Sequence, residues 1–286
     1  MLSSSDSMIL KQWIASQSSP HTRSCYERDA NRLLAHVGKP LRRVGLGDLQ
    51  GFDDALVATG MAPASRVRTL AAVKSLFGFC CRMRYLRVNP ATELRLRVYE
   101  KRLAERIVPE QDVQKLLAAD MSVRDQVLLD LLYTAGLRVS EACGLRWRHL
   151  CARGDAGQIT LFGKNGRTRA VALPKKTWNS LNKLQKSAGT DSPVFASRSG
   201  KPLDRGRVRA ILRAAAESAG VADKTPHVSP HWLRHAHASH ALDHGAPIHL
   251  VQATLGHCSA ATSAYLHARP GDSSARFLMN SARIGE

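Results

Sequence analysis

The stretch from Ser229 to Tyr265 reads SPHWLRHAHASHALDHGAPIHLVQATLGHCSAATSAY, and it is the most informative part of the chain. His231 and Arg234 lie three residues apart in it, and His257 closes a Leu-Gly-His turn eight residues before the tyrosine. A guanidinium flanked by imidazoles is suited to bind a phosphate, because arginine keeps its charge and its planar fork bonds two oxygens. The tyrosine is a candidate nucleophile toward that phosphate, provided that a base and nearby cations assist its ionisation.

Two cationic side chains upstream extend this set. Arg138 lies in the run AGLRVSE at residues 135–141, and Lys164 lies in GKNG at residues 163–166. Cleavage of a phosphodiester without a metal requires an in-line nucleophile, positive charge around the transition state, a base, and an acid for the leaving oxygen. Arginines supply the charge, and a lysine on a turn can reach into a groove and donate a proton. The residues therefore form a candidate set for phosphoryl transfer.

The chain is strongly basic along its whole length. It has 42 Lys and Arg residues against 23 Asp and Glu residues, a formal net charge of +19. Residues 1–100 hold 15 basic and 8 acidic side chains, and the remainder holds 27 and 15. Such a field attracts a polyanion. Nucleic acid and anionic membrane both meet that description, and basic ribosomal or chromatin proteins share it, so charge alone does not choose between them.

Several features predict a cytoplasmic protein without a metal or another cofactor. No apolar run approaches the roughly 20 residues of a membrane span. The opening MLSSSDSMILKQW lacks the basic and then apolar build of a secretory signal. Six cysteines without a CxxC pair predict reduced thiols, and neither a disulfide framework nor a zinc site. His231 and His235 are four residues apart, but no glutamate follows His231, so the zinc-protease pattern HExxH is missing.

Length and composition predict two domains. A chain of 286 residues is long enough for two separate cores. We place the domains at residues 1–100 and 101–286, with a polar, basic linker at about residues 95–106. The first domain is predicted to be helical throughout. The second combines helices with a β-hairpin, because the β-rich runs at residues 158–162 and 168–173 flank an Asn-Gly turn.

Helix boundaries are indicated by caps and prolines. Periodic apolar residues and start signals predict helices that begin at Ser19, Asp48, Ser65, Pro109 and Pro230. Gly38 and Pro40 are predicted to end the first of these. A further, strongly apolar helix is predicted through Val127–Tyr133, ending at Gly136.

Taken together, these motifs resemble the tyrosine recombinase, or phage integrase, family. The resemblance covers about residues 15 to 270, with the specific motifs at residues 135–265, and the segment TLAAVKSLFGFC with a downstream Asn-Pro is similar to the family's N-terminal domain. It implies a mainly α fold with a small antiparallel β-sheet. The expected parts are a helical, SAM-like, DNA-binding N-terminal domain and a C-terminal catalytic domain of the tyrosine recombinase type.

The resemblance also implies a role for each candidate residue. Tyr265 would be the nucleophile that forms a 3′-phosphotyrosine, and Lys164 the general acid toward the 5′-oxygen. The remaining four would bind and neutralise the phosphate or assist proton transfer: Arg138, His231, Arg234 and His257. Glu141 matches an acidic residue that braces the first arginine.

Some residues compete with these assignments. Arg167 is near Lys164 on the same turn, and Tyr133 is an alternative nucleophile, although its apolar helix favours a place in the core. Four further histidines are assigned to packing or solvent: His235, His237, His240 and His244.

Two departures from the family pattern stand out. The family often has WxDL after the first arginine, whereas residues 147–150 read WRHL. The histidine-to-tyrosine gap is usually nine residues in the family, but His257 and Tyr265 are eight apart. The second difference bears directly on where the nucleophile arrives.

We therefore expect a site-specific DNA recombinase acting on double-stranded DNA as a homotetramer on two recombination sites. One alternative is a catalytically decayed DNA-binding relative, in which the shortened tyrosine segment abolishes cleavage. Another is a type IB topoisomerase-like nicking and closing enzyme with the same chemistry but no partner site. The apolar tail residues Phe277, Leu278 and Met279 are a candidate anchor on a neighbouring protomer.

Overall fold

The computed structural model describes residues 4–96, 107–162, 168–185, 188–225 and 228–256. The chain folds as two compact units, Met1–Lys101 and Arg102–Glu286, each with its own hydrophobic core. The described residues are mainly helical, with one three-stranded antiparallel sheet. This confirms the predicted fold class. The predicted linker lies almost entirely outside the described residues.

The described part of the first unit, residues 4–96, contains four helices and a short 3-10 turn. They are α1 (Ser4–Ala15), α2 (Pro20–Val37), the 3-10 turn Leu41–Arg43, α3 (Leu46–Ala58) and α4 (Pro63–Arg82). The largest side chains of the core are almost completely buried: Trp13, Leu33, Phe52, Leu70 and Phe77. Because apolar residues recur three and four apart on α4, its inner face packs into this core, while Arg68 and Arg82 on the same helix are exposed.

Single residues set the ends of α2. The Ser19 hydroxyl accepts a hydrogen bond from the Thr22 N–H, and Pro20 occupies the first turn, where a missing N–H costs nothing. At the other end Gly38 adopts a φ of 61°, which glycine tolerates, and its N–H donates to the Leu34 carbonyl. The predicted start at Ser19 and end at Gly38 are therefore confirmed.

The next two helices begin earlier than predicted. The predicted start of α3 at Asp48 is wrong, because Asp48 lies in the first turn and its carboxylate accepts a hydrogen bond from the Gly45 N–H. Helix α3 thus begins at Leu46. Helix α4 begins at Pro63, two residues before the predicted Ser65, because proline is favourable in a first helical turn.

An ion pair with a buried carboxylate joins two helices of the first unit. The carboxylate of Asp29 on α2 is completely buried, and the Arg68 guanidinium on α4 bonds both of its oxygens. The Thr69 hydroxyl donates a third hydrogen bond to the same carboxylate. A buried charge is tolerated only when it is paired and hydrogen-bonded, so these contacts fix how α2 and α4 pack.

The second unit contains seven helices and the sheet within its described ranges. The helices are α5 (Glu110–Ala118), α6 (Val123–Thr134), α7 (Val139–Cys143), α8 (Lys175–Gln185), α9 (Arg205–Ser218), α10 (Pro230–Asp243) and α11 (Ile248–Leu255). Helix α6 contains the predicted apolar run and is buried on most of its surface by α5, α8 and α10. A helix that is apolar on most faces belongs in a core, and α6 is the centre of this one.

The sheet has the order β1-β2-β3, and both strand pairs are antiparallel. Strands β2 (Ala156–Phe162) and β3 (Thr168–Leu173) form the predicted hairpin, whose turn at residues 163–167 lies outside the described residues. Strand β1 (Leu150–Arg153) was not predicted. Its last three residues are exposed, so it lacks the alternating apolar pattern that marks a half-buried strand.

Gly157 anchors the base of the sheet to α8. A Cβ atom on Gly157 would lie 2.1 Å from the ring of Trp178, so the indole occupies the space that any side chain there would need. The close approach of the ring to the β2 backbone is therefore possible only at a glycine. This packing holds the end of the hairpin farthest from the 163–167 turn.

The described residues contain no membrane-spanning helix, no metal-binding cluster and no disulfide bond. No helix there is long and apolar enough to cross a membrane. No group of three or more His, Cys, Asp or Glu side chains in those ranges is placed to hold a metal ion. The cysteines in the described ranges are free thiols: Cys25, Cys80, Cys81, Cys143 and Cys151.

Candidate functional site

Arg234 lies in the middle of α10, the helix that begins at Pro230 as predicted, and it is only 2% exposed. Its guanidinium donates hydrogen bonds to the carbonyl oxygens of Gly136 and Leu255. Gly136 follows the end of α6, and Leu255 is the last residue of α11. Carbonyls at helix ends lack intrahelical donors, so the guanidinium satisfies them and is itself held at two fixed points.

Gly136 allows this close approach. Its φ of 57° lies in the left-handed region that favours glycine. A Cβ atom would lie 2.6 Å from Cδ2 of Leu255 and 3.0 Å from Cδ2 of His237. Any side chain at this position would therefore push α11 or α10 away from the loop that leads to α7.

Arg138 lies two residues beyond Gly136, at the N-cap of α7. Its guanidinium donates to Oε1 of Glu141 at 2.9 Å, and its backbone N–H donates to Oε2 at 2.8 Å. A second guanidinium nitrogen is 3.4 Å from the carbonyl oxygen of Gly256. The Arg138 side chain is 42% exposed. Arg138 thus meets the end of α11 from the solvent side, whereas Arg234 meets it from the interior.

Arg169 on β3 is a functional candidate that the sequence reasoning missed. Its two terminal nitrogens each bond one oxygen of the Glu141 carboxylate at 2.8 Å, and its Nε donates to the Thr254 carbonyl at 2.8 Å. A usable signal was present in the strand alternation, because Arg169 lies on the same face as the buried Val171 and Leu173. A charged side chain on the buried face of a strand requires a partner.

The Glu141 carboxylate is ionised because of these partners. Burial alone raises the pKa of this carboxyl, but hydrogen bonds from Arg169 and from the Arg138 backbone and side chain, with the Arg169 charge, outweigh it. The pKa falls to about 2. The expectation that Glu141 braces Arg138 is confirmed by the hydrogen bonds, and the structure adds Arg169 as a second cation on the same carboxylate.

His231 and His235 lie one turn apart on α10 and their rings stack. The ring centroids are 4.2 Å apart and the planes differ by 15°. His231 is exposed, whereas His235 is half-buried behind it. His231 is three residues before Arg234 on the same helix, so both project from neighbouring turns. The His235 ring packs against the candidate site residue, and this packing role agrees with its assignment from sequence.

The other histidines of α10 form packing contacts. Burial lowers the pKa of His237 to about 4, which outweighs its hydrogen bond to the Tyr133 backbone, so this ring is neutral near pH 7. The Tyr133 hydroxyl and Nδ1 of the buried His240 are 3.0 Å apart and share a hydrogen bond. Burial, with a smaller contribution from the Glu110 charge, raises the pKa of Tyr133 to about 12. Such an environment opposes ionisation of Tyr133, the alternative nucleophile.

His149 takes the position where the family pattern often has aspartate. Its Nδ1 accepts a hydrogen bond from the Arg146 N–H at 3.2 Å, which is the bond that an aspartate oxygen would accept in a first helical turn. Burial and the nearby Arg148 charge lower the pKa of His149. The neutral ring therefore serves as the acceptor of this bond.

Three of the six candidate residues are brought into one region, and the other three are outside the described residues. Arg138 and Arg234 converge on the end of α11, with His231 one turn before Arg234. The undescribed candidates are Lys164, His257 and Tyr265, together with the rival Arg167 and the apolar tail. The described chain ends at Gly256, directly before His257.

Comparison with known families gives two matches that divide the chain. Residues 106–271 match the phage integrase family. Residues 11–83 match the phage integrase N-terminal SAM-like domain. The first match contains all six candidate residues, and the second contains α2, α3, α4 and the last five residues of α1.

Curated relatives resemble the chain over most of its length. Tyrosine recombinase XerC of Xylella fastidiosa (strain M23) is 32% identical over 254 residues, 86% of this chain and 85% of the relative. Tyrosine recombinase XerC of Xanthomonas campestris pv. campestris (strain B100) is 30% identical over 271 residues, covering 92% and 83%.

Solved structures share the fold at lower identity. The XerH site-specific recombinase in a post-cleavage complex with palindromic difH has a TM-score of 0.74 at 18% identity, covering 98% of this chain and 84% of that one. The Tn1549 transposon integrase with circular intermediate DNA has a TM-score of 0.73 at 17% identity, covering 95% and 98%.

Proposed function

This chain belongs to the phage integrase family of tyrosine recombinases, and we propose that it is a site-specific recombinase that cuts and rejoins duplex DNA through Tyr265. Membership confirms the resemblance that the motifs indicate. One observation carries the assignment of the site: the Arg138 and Arg234 guanidiniums both bond backbone carbonyls of residues 255–256, directly before His257. Fixed positive charge at that point suits a phosphate that is attacked from the following segment.

In the proposed reaction the Tyr265 hydroxyl attacks the phosphorus in line with the 5′-oxygen. The bond from tyrosine oxygen to phosphorus forms, the bond to the 5′-oxygen breaks, and Lys164 supplies the proton that the leaving oxygen takes. His231 and His257 hydrogen-bond the phosphate and receive the tyrosine proton. The 3′-phosphotyrosine keeps the bond energy, so a 5′-hydroxyl from another strand can displace the tyrosine and rejoin the DNA without ATP.

The two arginines differ in how they would act. Arg138 is substantially exposed, and its fork can turn to a phosphate without leaving Glu141. Arg234 is buried and bonded to two carbonyls, so its charge has a fixed place beneath the phosphate. Positive charge that needs no rearrangement during the reaction stabilises a transition state most effectively.

We assign DNA binding to both predicted domains, residues 1–100 and 101–286. The first contains the SAM-like match and has exposed basic side chains on several elements: Arg23, Arg28, Arg42, Arg43 and Arg84. We propose that they contact phosphates, which position a protein without reading sequence. Two protomers would occupy one site, and a homotetramer would join two sites. The activity belongs on DNA inside the cell.

Covalent capture tests the proposal directly. The full chain is incubated with a pool of nicked duplexes of randomised sequence, in which a short cleaved product diffuses away and traps the phosphotyrosine. Protein-linked DNA is then recovered under denaturing conditions and sequenced. Wild-type protein should yield linked DNA, Tyr265→Phe should yield none while still retaining duplexes on a filter, and Tyr133→Phe should behave as the wild type.

The sequences recovered separate the alternatives. A shared motif among the linked duplexes supports a site-specific recombinase. Linked DNA without sequence preference, together with relaxation of a supercoiled plasmid by single protomers, would identify a topoisomerase-like enzyme instead. Retention of duplexes with no linked DNA from the wild type would identify a decayed DNA-binding relative. Linked DNA from Tyr265→Phe would remove Tyr265 as the nucleophile.

A further inference from the structure

The Arg169 guanidinium occupies a junction between three parts of the second unit. We propose that Arg169 is a positioning residue for Arg138: it fixes the Glu141 carboxylate, and through it the Arg138 guanidinium, relative to the end of α11. The proposal rests on the proposed function, because it assigns Arg138 to the phosphate. Arg169 itself touches neither DNA nor the reacting atoms in this scheme.

Four hydrogen bonds hold the Glu141 carboxylate in one orientation. Each of its oxygens accepts a bond from Arg169 at 2.8 Å. Each also accepts one from Arg138, from the side chain at 2.9 Å on one oxygen and from the backbone at 2.8 Å on the other. Among the described residues, the cations in contact with this carboxylate are thus Arg138 from its own helix and Arg169 from β3. Four bonds to one carboxylate fix its rotamer, and with it the direction of the Arg138 fork.

Arg169 and Glu141 are largely buried, whereas Arg138, which is proposed to bind the phosphate, is more exposed. The side chains of Arg169 and Glu141 are 11% and 10% exposed, whereas Arg138 is 42% exposed. The pair is therefore shielded from solvent competition, while the other guanidinium reaches outward. Removal of one partner from a buried pair leaves an uncompensated charge, which is far less favourable than the loss of an exposed pair.

Arg169 also connects the segments that carry the undescribed candidates. It lies five residues after Lys164 in the sequence, on the strand that follows the turn. Its Nε donates to Thr254, three residues before His257. Gly256, with a φ of 60°, would bring a Cβ atom within 3.1 Å of the Arg169 side chain, so the end of α11 packs directly on it. One guanidinium thus ties β3, α7 and α11 together.

The contacts of residue 169 require the planar guanidinium of an arginine. A planar fork can bond both carboxylate oxygens and still direct Nε at a carbonyl, whereas a lysine ammonium carries the same charge without that arrangement. Arg169→Lys therefore tests orientation at constant charge, and Arg169→Met removes the charge at similar length. Arg153→Met is the matched control, because Arg153 is an exposed arginine of β1 that bonds only Gln158 among the described residues.

The experiment measures single-turnover cleavage of a captured nicked duplex, DNA affinity and thermal stability for each variant. We expect Arg169→Lys and Arg169→Met to slow cleavage by about tenfold to a hundredfold, as a misplaced catalytic group does. DNA affinity should change by less than about threefold, since a loss of one phosphate contact would already exceed that. Arg153→Met should change neither rate nor affinity.

The pH profile distinguishes positioning from a general loss of structure. The pKa of Glu141 is low because Arg169 and Arg138 bond the buried carboxylate. Without Arg169 that pKa should rise, so cleavage by Arg169→Met should acquire an acidic limb that the wild type lacks in the same range. In a Glu141→Gln background the acidic limb should disappear. Arg169→Met should then slow cleavage much less than it does in the wild-type background.

Two results would overturn the proposal. One is an Arg169→Met enzyme that cleaves at the wild-type rate. The other is a rate loss that follows the loss of thermal stability, is unchanged in the Glu141→Gln background and brings no acidic limb. If wild-type protein forms no covalent complex, the proposed function fails instead. NMR titration of the Glu141 carboxyl in the wild type and in Arg169→Met then tests independently whether Arg169 holds this carboxylate. An unchanged pKa of Glu141 would refute it.

Discussion

The Arg234 guanidinium donates a hydrogen bond to the carbonyl oxygen of Gly136, a residue 98 positions earlier in the chain. Gly136 is followed two residues later by Arg138, so this bond sets the distance between the two candidate arginines. Leu255 packs against the bare Cα of Gly136 and supplies the second carbonyl that Arg234 binds. Both arginines therefore depend on Gly136: Arg234 through the hydrogen bond to its carbonyl oxygen, and Arg138 through its position two residues later.

We expect Gly136→Ala to destabilise the chain and to slow cleavage. The new Cβ would be strained at a φ of 57° and would lie 2.6 Å from Leu255, which costs on the order of 1–3 kcal/mol beyond the strain. Denaturant unfolding measures the loss. Gly154→Ala is the control, because Gly154 has a φ of 62° and nothing within 4 Å of its Cβ. Equal losses for both variants would contradict a packing role.

Substitution of Arg138 or Arg234 should slow cleavage to a similar extent, but only substitution of Arg234 should destabilise the fold. Arg138→Ala and Arg234→Ala should each slow cleavage by on the order of a hundredfold or more, as expected for lost transition-state donors. Arg234→Ala should also lower the melting temperature, because two buried carbonyls lose their donor. Thermal unfolding and single-turnover cleavage measure the two effects. A normal cleavage rate in either variant would remove that arginine from the site.

Lys164 should be dispensable when the leaving group needs no proton. A substrate with a 5′-thiol in place of the 5′-hydroxyl leaves as a thiolate, so Lys164→Ala should recover much of its rate on that substrate. Arg138→Ala should show no such recovery, because it removes charge and not an acid. The ratio of rates on the two substrates is the measurement. If Lys164→Ala is equally slow on both, the proton comes from another group.

Stability should depend on His237 in mildly acidic solution. Burial lowers the pKa of His237 to about 4, below the ordinary value near 6.5, so the unfolded chain binds a proton in that interval that the folded chain does not. The contribution of His237 to the free energy of unfolding has its full value above about pH 6.5 and decreases as the pH falls toward 4. His237→Gln should flatten that dependence in denaturant titrations. The exposed His249→Gln is the control, and a flattening there as well would contradict the assignment.

Lengthening the segment before Tyr265 should increase cleavage. One residue turns a helix by about 100°, and the segment from His257 to Tyr265 is one residue shorter than is usual in the family. An alanine inserted between Ser259 and Ala260 should therefore raise the single-turnover rate on a nicked duplex. An alanine inserted after Ser199, in an exposed turn, should leave it unchanged. An equal or lower rate after the first insertion would show that eight residues suit this enzyme.

Local signals predicted the helix ends that depend on neighbouring residues. Ser19 and Gly38 set the ends of α2 through bonds to residues three and four away, and Pro230 begins α10 as expected. The start of α3 was misplaced because Asp48 acts from inside the first turn, where an acidic residue is also favourable. Strand β1 escaped prediction because its exposed residues carry no alternation.

The candidate site was predictable in its residue types but not in its connections. Arg138 and Arg234 are recognisable from the residues around them. The bonds from Arg169 to Glu141 and to Thr254 span 28 and 85 residues, and no local pattern encodes such a distance. His149 shows a different limit: its bond from the Arg146 N–H spans only three residues, but only the structure reveals that its ring accepts the bond that an aspartate would take.

The carbonyls at the end of α11 also have a consequence for biosynthesis. They are the acceptors for guanidiniums that lie 118, 85 and 21 residues earlier in the chain, at Arg138, Arg169 and Arg234. A chain still on the ribosome makes every one of these cations before it makes Thr254 to Gly256, and contacts of such separation form late in folding. The nascent protein is therefore positively charged before these arginines can adopt the arrangement that the proposed cleavage requires. Cleavage competence thus requires synthesis of these acceptors and of the proposed nucleophile Tyr265 that follows them in the chain.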